Sequence, residues 1–348
     1  MQKVIFSTDI IGQLDKLCEE TKADKIFLLT DTTTHRLCRP LVEKCKYVMG
    51  AQDIIIAPTD ANKTLDALAS VWKALSDGKA SRRSLMINLG GGMVTDLGGF
   101  AAATFKRGID FINIPTTLLS MVDAAVGGKT GINFNGFKNE VGTFQESIAV
   151  IIDTAFLRTL DSENLRSGYA EMLKHSLLEN ETMWADHLRF SLSDPDYAHL
   201  QQLVAQSIQC KQRIVTEDPH EHGIRKALNL GHTVGHAFES LALERERPIL
   251  HGYAVAYGLL CELYLSAAHT GFPTEQMRQT VAFIRENYGT FAFDCKDYEH
   301  IYNTMLHDKK NVGGVINFTL LSSIGGIMLN QHLSKEEVFE AFDFFREG

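Results

Sequence analysis

The sequence predicts an α/β domain over residues 1–160 followed by an all-helical domain over residues 161–348. Two observations predict it. Short apolar runs alternate with helical patterns in the first part, which is how a mostly parallel sheet with crossover helices is written. After Leu160 the apolar spacing becomes almost entirely helical.

In the first part the strand-like runs are KIFLLT (25–30), DIIIAP (53–58), SLMINL (84–89), FINIP (111–115) and AVIID (149–153), with a helix pattern from Thr64 to Leu75. Each run is short enough to be a buried strand. In the second part helices are expected over roughly 163–192, 196–217, 230–246, 252–270, 274–287 and 297–308, with breaks near Pro195 and Pro219. One late strand-like run, VINFTLL (315–321), precedes Gly325 and Gly326. No internal repeat or low-complexity segment interrupts either part.

Composition narrows the function. A chain of 348 residues, 45% hydrophobic and 22% charged, has enough apolar content for a large core and does not read as disordered. A net charge of −9 without a long basic run argues against a nucleic-acid surface. No stretch reaches the roughly 18 apolar residues needed to cross a membrane, and the N-terminus MQKVIFSTDIIGQLDKL has no signal-peptide pattern. Six cysteines without a C-x-x-C pair read as the reduced thiols of a cytoplasmic protein.

Two blocks carry the chemistry. The first runs from Leu89 to Asn139: LGGGMVTDLGGFAAATFKRG, then INIPTTLLSMVDAAVGGKTGIN, then GFKN. Gly90, Gly91 and Gly92 follow a buried-strand run and open a small-residue helix. Glycine lets backbone approach a phosphate, and a helix N-terminus presents N–H groups to an anion. The run does not fit G-x-G-x-x-G, so by itself it reads as a plain strand-to-helix turn, and the second block shifts that reading. Arg107, Lys129 and Lys138, set among small residues, add the charge of a second anion site.

The second block is GYAEMLKHSLL (168–178), EHGIRKALNLGHTVGHAFE (221–239) and HGYAVAYG (251–258). His232 and His236 are four apart and share a helix face, as do Glu171 and Lys174, three apart. A glutamate with two or three histidines from separate helices suits a divalent cation such as zinc. Spacing alone pairs His232 with His236 as joint ligands.

Together these motifs, with FKRG and the DKK at 308–310, resemble the 3-dehydroquinate synthase family over nearly the whole length. The resemblance implies an NAD-binding α/β domain, a helical metal-binding domain, and a zinc or cobalt ion. It implies conversion of 3-deoxy-D-arabino-heptulosonate 7-phosphate, an anionic sugar phosphate, to 3-dehydroquinate and phosphate. NAD+ oxidises a ring hydroxyl, phosphate leaves by β-elimination, the hydride returns, and the ring reopens and closes by an intramolecular aldol step. The metal acts as a Lewis acid on the hydroxyl and the carbonyl formed from it.

Residue by residue, the resemblance makes Glu171, His232 and His251 the metal ligands and leaves His236 as a polar group near the substrate. Lys129, Lys174, Lys211, Arg225, Asn229 and Asn139 match substrate-binding positions. Arg107 matches the phosphate pocket, Asp123 an active-site acid, and one of Lys309 and Lys310 a substrate contact. Asp31 matches the residue on the ribose hydroxyls and so favours NAD over NADP. Asp60, Lys63, Gly91, Gly92, Asp96, Thr116, Thr117, Lys138 and Thr159 match other NAD contacts, and Lys129 is expected to serve the cofactor as well as the substrate. A homodimer is implied, with Arg107 near the partner subunit's site. Several positions depart from the pattern: Asp60 in place of Glu, Thr95 in place of Gly, Glu140 where an apolar residue is usual, and the residues after Phe144, where an aromatic and a proline are usual.

Overall fold

The structure, a computed structural model, describes residues 2–135, 137–306 and 315–347. The chain divides into two compact units, Met1–Asp161 and Ser162–Gly348.

In the first unit the strands are β1 (Lys3–Phe6), β2 (Ile26–Asp31), β3 (Gln52–Ile56), β4 (Leu85–Gly90), β5 (Asp110–Pro115), β6 (Lys129–Phe134), β7 (Phe137–Phe144) and β8 (Ala149–Ile152). Its helices are α1 (Ile10–Thr21), the short α2 (Thr32–Leu37), α3 (Arg39–Val42) and α4 (Lys46–Met49), then α5 (Leu65–Asp77) and α6 (Gly92–Thr104). Six strands form one parallel sheet in the order β1-β8-β5-β4-β2-β3. The inner strands β4 (LMINLG) and β8 (AVII) are buried at every residue, as strands covered on both faces must be. The edge strand β3 alternates near its end, with Ile54 and Ile56 buried and Ile55 exposed. On α5, Leu68, Val71 and Leu75 fall on one face and pack into the core with Phe27, Leu29, Met86, Val94 and Phe111. Asp9 caps α1 and Thr64 caps α5, each accepting a backbone N–H that the first turn leaves unpaired.

All five strand-like runs of the first unit are strands. Strand β1 and the β6–β7 hairpin, which pairs antiparallel from Lys129↔Phe144 to Phe134↔Phe137, go beyond those runs. The hairpin escapes a pattern search because β7 (FKNEVGTF) is almost wholly exposed and shows no apolar alternation.

The second unit contains α7 (Ser162–Glu179), α8 (Glu181–Arg189), α9 (Tyr197–Glu217), α10 (His232–Glu244), α11 (His251–Leu265), α12 (Thr274–Tyr288), α13 (Tyr298–Leu306) and α14 (Lys335–Glu347). It is not purely helical: β9 (Phe318–Ser323) and β10 (Gly326–Gln331) form an antiparallel hairpin. The single helix expected over 163–192 is two, because the Asn180 side chain accepts Met183 N–H at 2.9 Å and starts α8 afresh. Two helices are buried nearly all round. α7 buries every residue from Ser167 to Leu178, and α11 buries most of its length. Helices buried on every face form the centre of a bundle, so charged groups on them need a specific reason to be there.

Candidate functional site

The buried charges of the second unit gather at one point. Glu171 and Lys174, one turn apart on α7, are 0% and 1% exposed and form an ion pair. Glu171 Oε1 lies 3.4 Å from His232 Nε2 and 3.4 Å from His251 Nε2. His232 is the first residue of α10 and His251 the first of α11. One carboxylate oxygen and two imidazole nitrogens, from three helices, lie within 4.8 Å of one another.

The approach of α10 to α11 needs glycine. A Cβ at Gly258 would stand 1.9 Å from the Gly231 carbonyl oxygen. Gly231 itself has φ 80, a left-handed conformation open to glycine. Glu262, buried on α11, reaches back across this contact. It accepts Gly231 N–H at 2.5 Å and Val234 N–H at 3.1 Å, filling the N-terminus of α10 where those donors would be unpaired. The neighbouring Leu230 carbonyl lies 3.2 Å from His232 Nδ1. On the other side, His251 Nδ1 lies 3.4 Å from Glu239 Oε2.

Electrostatics suit a cation. Burial works against a charged Glu171, but Lys174 and His232 beside it hold its carboxyl well below the ordinary range. Burial likewise opposes a charged His251. The carboxylates of Glu171 and Glu239 overcome it and hold the ring up at about 10. Glu171 Oε1 is buried and receives no hydrogen bond of ordinary geometry, a costly state for a carboxylate oxygen unless a cation meets it. A carboxylate with two imidazoles is a catalytic zinc donor set with positions left for substrate. The residues therefore fit a metal.

The His236 ring centre is 5.3 Å from that of His232 and 5.9 Å from that of His251. Yet among the described residues no group of ligand atoms within 4.8 Å includes it. This geometry favours Glu171, His232 and His251 as the set over the pair taken from spacing. Of the other positions in this unit, Lys211 on α9 is 5% exposed and Arg225 3% exposed. Arg225 donates to the Pro219 carbonyl at 2.6 Å, and Asn229 to Glu221 Oε1 at 3.0 Å. Lys309 and Lys310 lie outside the described residues.

In the first unit Asp31, Gly91 and Thr116 stand at the carboxyl ends of the neighbouring parallel strands β2, β4 and β5, where α/β sheets bind nucleotides, while Asp96 lies on α6 and Lys138 on β7. Asp31 ends β2. Its Oδ1 accepts Thr33 and Thr34 N–H at 2.7 and 2.9 Å, so the carboxylate is held at a defined angle. Gly91 follows β4 and caps α6. A Cβ there would lie 3.0 Å from Thr117 Cγ2, and one at Gly92 3.1 Å from Ala124 Cβ. Packing against Thr117 and Ala124 thus keeps both positions glycine, and a glycine turn at a helix N-terminus, whose backbone N–H groups are open to an anion, fits the phosphates of a dinucleotide. Thr116 donates its N–H to the Gly90 carbonyl at 2.9 Å, and Thr159 Oγ1 lies 3.6 Å from Cys38 Sγ.

Lys63, 3% exposed, ties several predicted residues together. Its Nζ lies 3.1 Å from Asp60 Oδ1 and 3.1 Å from Asp96 Oδ2, and it donates to Asn139 Oδ1 at 2.6 Å. Lys138 is 3.8 Å from Asp60, so the shorter Asp60 still reaches both lysines. Burial pushes the Asp96 carboxyl up to about 6 although Lys63 draws it down. Thr95 is accommodated by its hydroxyl, which donates to the Gly92 carbonyl at 3.2 Å. Glu140 is exposed on β7, Lys129 is exposed at the head of β6, and Asp123 is half-buried. Arg107 sits apart on a left-handed turn with Lys106 and Gly108 (φ 70, 51 and 114), and its guanidinium has no ion-pair partner among the described residues.

Sequence reasoning passed over Glu239, Glu262 and Asn133. Asn133 Oδ1 accepts Asn139 N–H at 3.0 Å, and its amide donates to the Asp60 carbonyl at 2.8 Å. Glu239 had a signal available: it is seven residues after His232, two helical turns along the same face.

The architecture, a parallel α/β unit followed by a mainly helical unit, is shared with solved enzymes. A 2-deoxy-scyllo-inosose synthase complexed with carbaglucose-6-phosphate, NAD+ and Co2+ shares the fold (TM-score 0.84, 22% identity, covering 99% of this chain and 96% of that one). So does a 2-epi-5-epi-valiolone synthase from Streptomyces hygroscopicus with NAD+ and Zn2+ bound (TM-score 0.86, 23% identity, 100% and 97%). Closer relationship is visible in the sequence. The model of the 3-dehydroquinate synthase N-terminal region matches residues 53–167, and that of the C-terminal region matches 168–311. A 3-dehydroquinate synthase of Parabacteroides distasonis is 54% identical over 347 residues, covering 100% of this chain and 98% of its own. One of Campylobacter jejuni is 34% identical, covering 96% of each. The chain belongs to the 3-dehydroquinate synthase family and is an enzyme with that family's activity.

Proposed function

We propose that the enzyme converts 3-deoxy-D-arabino-heptulosonate 7-phosphate to 3-dehydroquinate and inorganic phosphate, with NAD returned unchanged and one zinc or cobalt ion bound. The observation that carries this reading is the convergence of Glu171 Oε1, His232 Nε2 and His251 Nε2 on one buried point in a chain of this family. The first unit would hold NAD and the second the metal. When bound, NAD+ supplies a reversible hydride acceptor and the metal a Lewis acid for a substrate oxygen.

The chain's own residues do the rest. Glu171 brings a full negative charge to the cation, and His251, the more exposed of the two imidazoles, would leave one side open to substrate. His236, whose ring centre is 5.3 Å from that of His232 but which lies outside the ligand set, would accept and return a substrate proton. In the second unit Lys174, Lys211 and Arg225, all buried, with the amide of Asn229, would supply donors for a substrate bearing a carboxylate and a phosphate; Lys129 and Asn139 of the first unit are proposed as substrate-binding residues on the family resemblance. Asp31, fixed by two backbone N–H groups, is placed to accept the two ribose hydroxyls and to repel a 2′-phosphate. Asp60, Lys63 and Asp96 form the polar wall of the cofactor site, with Gly92, Thr116, Thr117, Lys138 and Thr159 as further contacts.

Zinc-loaded protein with a catalytic amount of NAD should release one phosphate per heptulosonate phosphate consumed, give a product of dehydroquinate mass, and accumulate no NADH. Turnover of a sugar phosphate lacking the carboxylate, but not of this substrate, would assign another sugar-phosphate cyclase activity. NADH formed in step with substrate would assign a dehydrogenase. The reading includes a cytoplasmic homodimer. Free thiols at all six cysteines support the compartment, and the exposed, unpaired Arg107 is a cation available to a partner subunit's site. Full activity in a species that light scattering shows to be a monomer would remove the dimer.

A further inference from the structure

Each candidate metal-binding imidazole uses its two nitrogens differently. His232 Nε2 and His251 Nε2 both lie 3.4 Å from Glu171 Oε1. Their other nitrogens face separate acceptors: His232 Nδ1 faces the backbone carbonyl of Leu230 at 3.2 Å, and His251 Nδ1 faces the Glu239 carboxylate at 3.4 Å. The first acceptor belongs to the main chain and is held by the turn before α10. The second is a side chain, 14% exposed, reaching from α10 to the first residue of α11. His251 starts its helix and is 28% exposed, so less packing fixes its ring than fixes that of His232, at 11%.

We propose that Glu239 is a positioning residue for the metal. By accepting His251 Nδ1–H, it selects the tautomer whose Nε2 lone pair points at the cation, and its charge makes that nitrogen a stronger donor. It also ties the α10 ligand to the α11 ligand, since Glu239 and His232 share a helix. The proposal rests on reading Glu171, His232 and His251 as the metal site.

The test is the zinc dissociation constant, measured by chelator competition on the unaltered full-length protein and on Glu239→Ala, Glu239→Met and Glu239→Gln. Glu239→Met keeps the side-chain length and helix preference while removing the acceptor, so it carries the test where Glu239→Ala does not fold. The expected result is a 10–100-fold weaker zinc affinity for Glu239→Ala and Glu239→Met. Glu239→Gln, which still accepts a hydrogen bond, should recover part of it. The visible absorption of the cobalt-loaded Ala and Met variants should shift, because the ligand field changes when the His251 ring turns. A folded Glu239→Ala or Glu239→Met that holds zinc as tightly as the unaltered protein overturns the proposal, and so does a Gln variant no better than Ala. If instead the unaltered protein binds no zinc, or His232→Ala binds it as tightly, the metal-site reading itself fails and the proposal with it.

Discussion

Replacing Gly258 with alanine tests whether the helix crossing governs both stability and metal binding. The added Cβ would lie 1.9 Å from the Gly231 carbonyl oxygen and 2.8 Å from both Gly231 C and Gly235 N. All three are backbone atoms, so no side chain can swing away. Ordinary contact needs about 3.4 Å, so α10 and α11 must separate by on the order of 1 Å. Overpacking of this kind costs about 1–3 kcal/mol, and three backbone clashes put this site at about 3 kcal/mol. Metal ligation tolerates only about 0.2 Å, and His232 and His251 sit on the two helices being parted. Gly258→Ala should therefore lower unfolding free energy in zinc-free buffer and also weaken zinc binding. Urea unfolding with and without zinc measures both. The control is Gly50→Ala, where φ is −99 and nothing lies within 4 Å of the new Cβ; it should stay within about 0.5 kcal/mol. A Gly258→Ala protein as stable as that control, with unchanged zinc affinity, would refute the reasoning.

Three further outcomes are expected. His236→Ala should keep about one metal per chain while turnover falls about 10²–10⁴-fold, whereas Glu171→Ala, His232→Ala and His251→Ala should lose the metal; metal analysis of the four variants decides, and loss from His236→Ala with retention in His251→Ala reverses the assignment. Asp31→Ala should weaken NAD binding and narrow the preference over NADP, and equal affinity of the unaltered protein for the two cofactors would refute that role. Burial pushes the His187 imidazole down from 6.5 to about 4, so the folded state resists protonation: stability is whole above pH 6.5 and falls as pH drops towards 4, by about 3 kcal/mol. The pH slope of unfolding free energy between 7 and 4 should flatten in His187→Gln, and an unchanged slope would show that other groups set the acid limit.

Much of the fold was legible because its central strands are continuous apolar runs. KIFLLT, SLMINL and AVIID are short enough for buried strands and follow one another in an alternating α/β pattern, and all three are in the sheet. The β6–β7 hairpin was not legible, since an exposed strand such as FKNEVGTF has no burial to impose a period. The split of 163–192 into two helices rested on one side chain, Asn180, capping rather than continuing.

The sequence by itself determined the kinds of group this protein brings to its chemistry: a glycine-rich turn after a buried strand, and glutamate, histidine and lysine on helices too apolar to bear them idly. Local spacing could also place His232 and His236 on one face. Which groups converge was not in the spacing; the family resemblance named them, and the tertiary structure supplies the physical reason. His251 is far from His232 along the chain, and the two meet Glu171 because Gly231, Gly235 and Gly258 let α10 and α11 approach closely. The same approach places Glu239 against His251 and Glu262 against the start of α10. Convergence of this kind depends on backbone distance between helices, a quantity that periodicity within one helix does not contain.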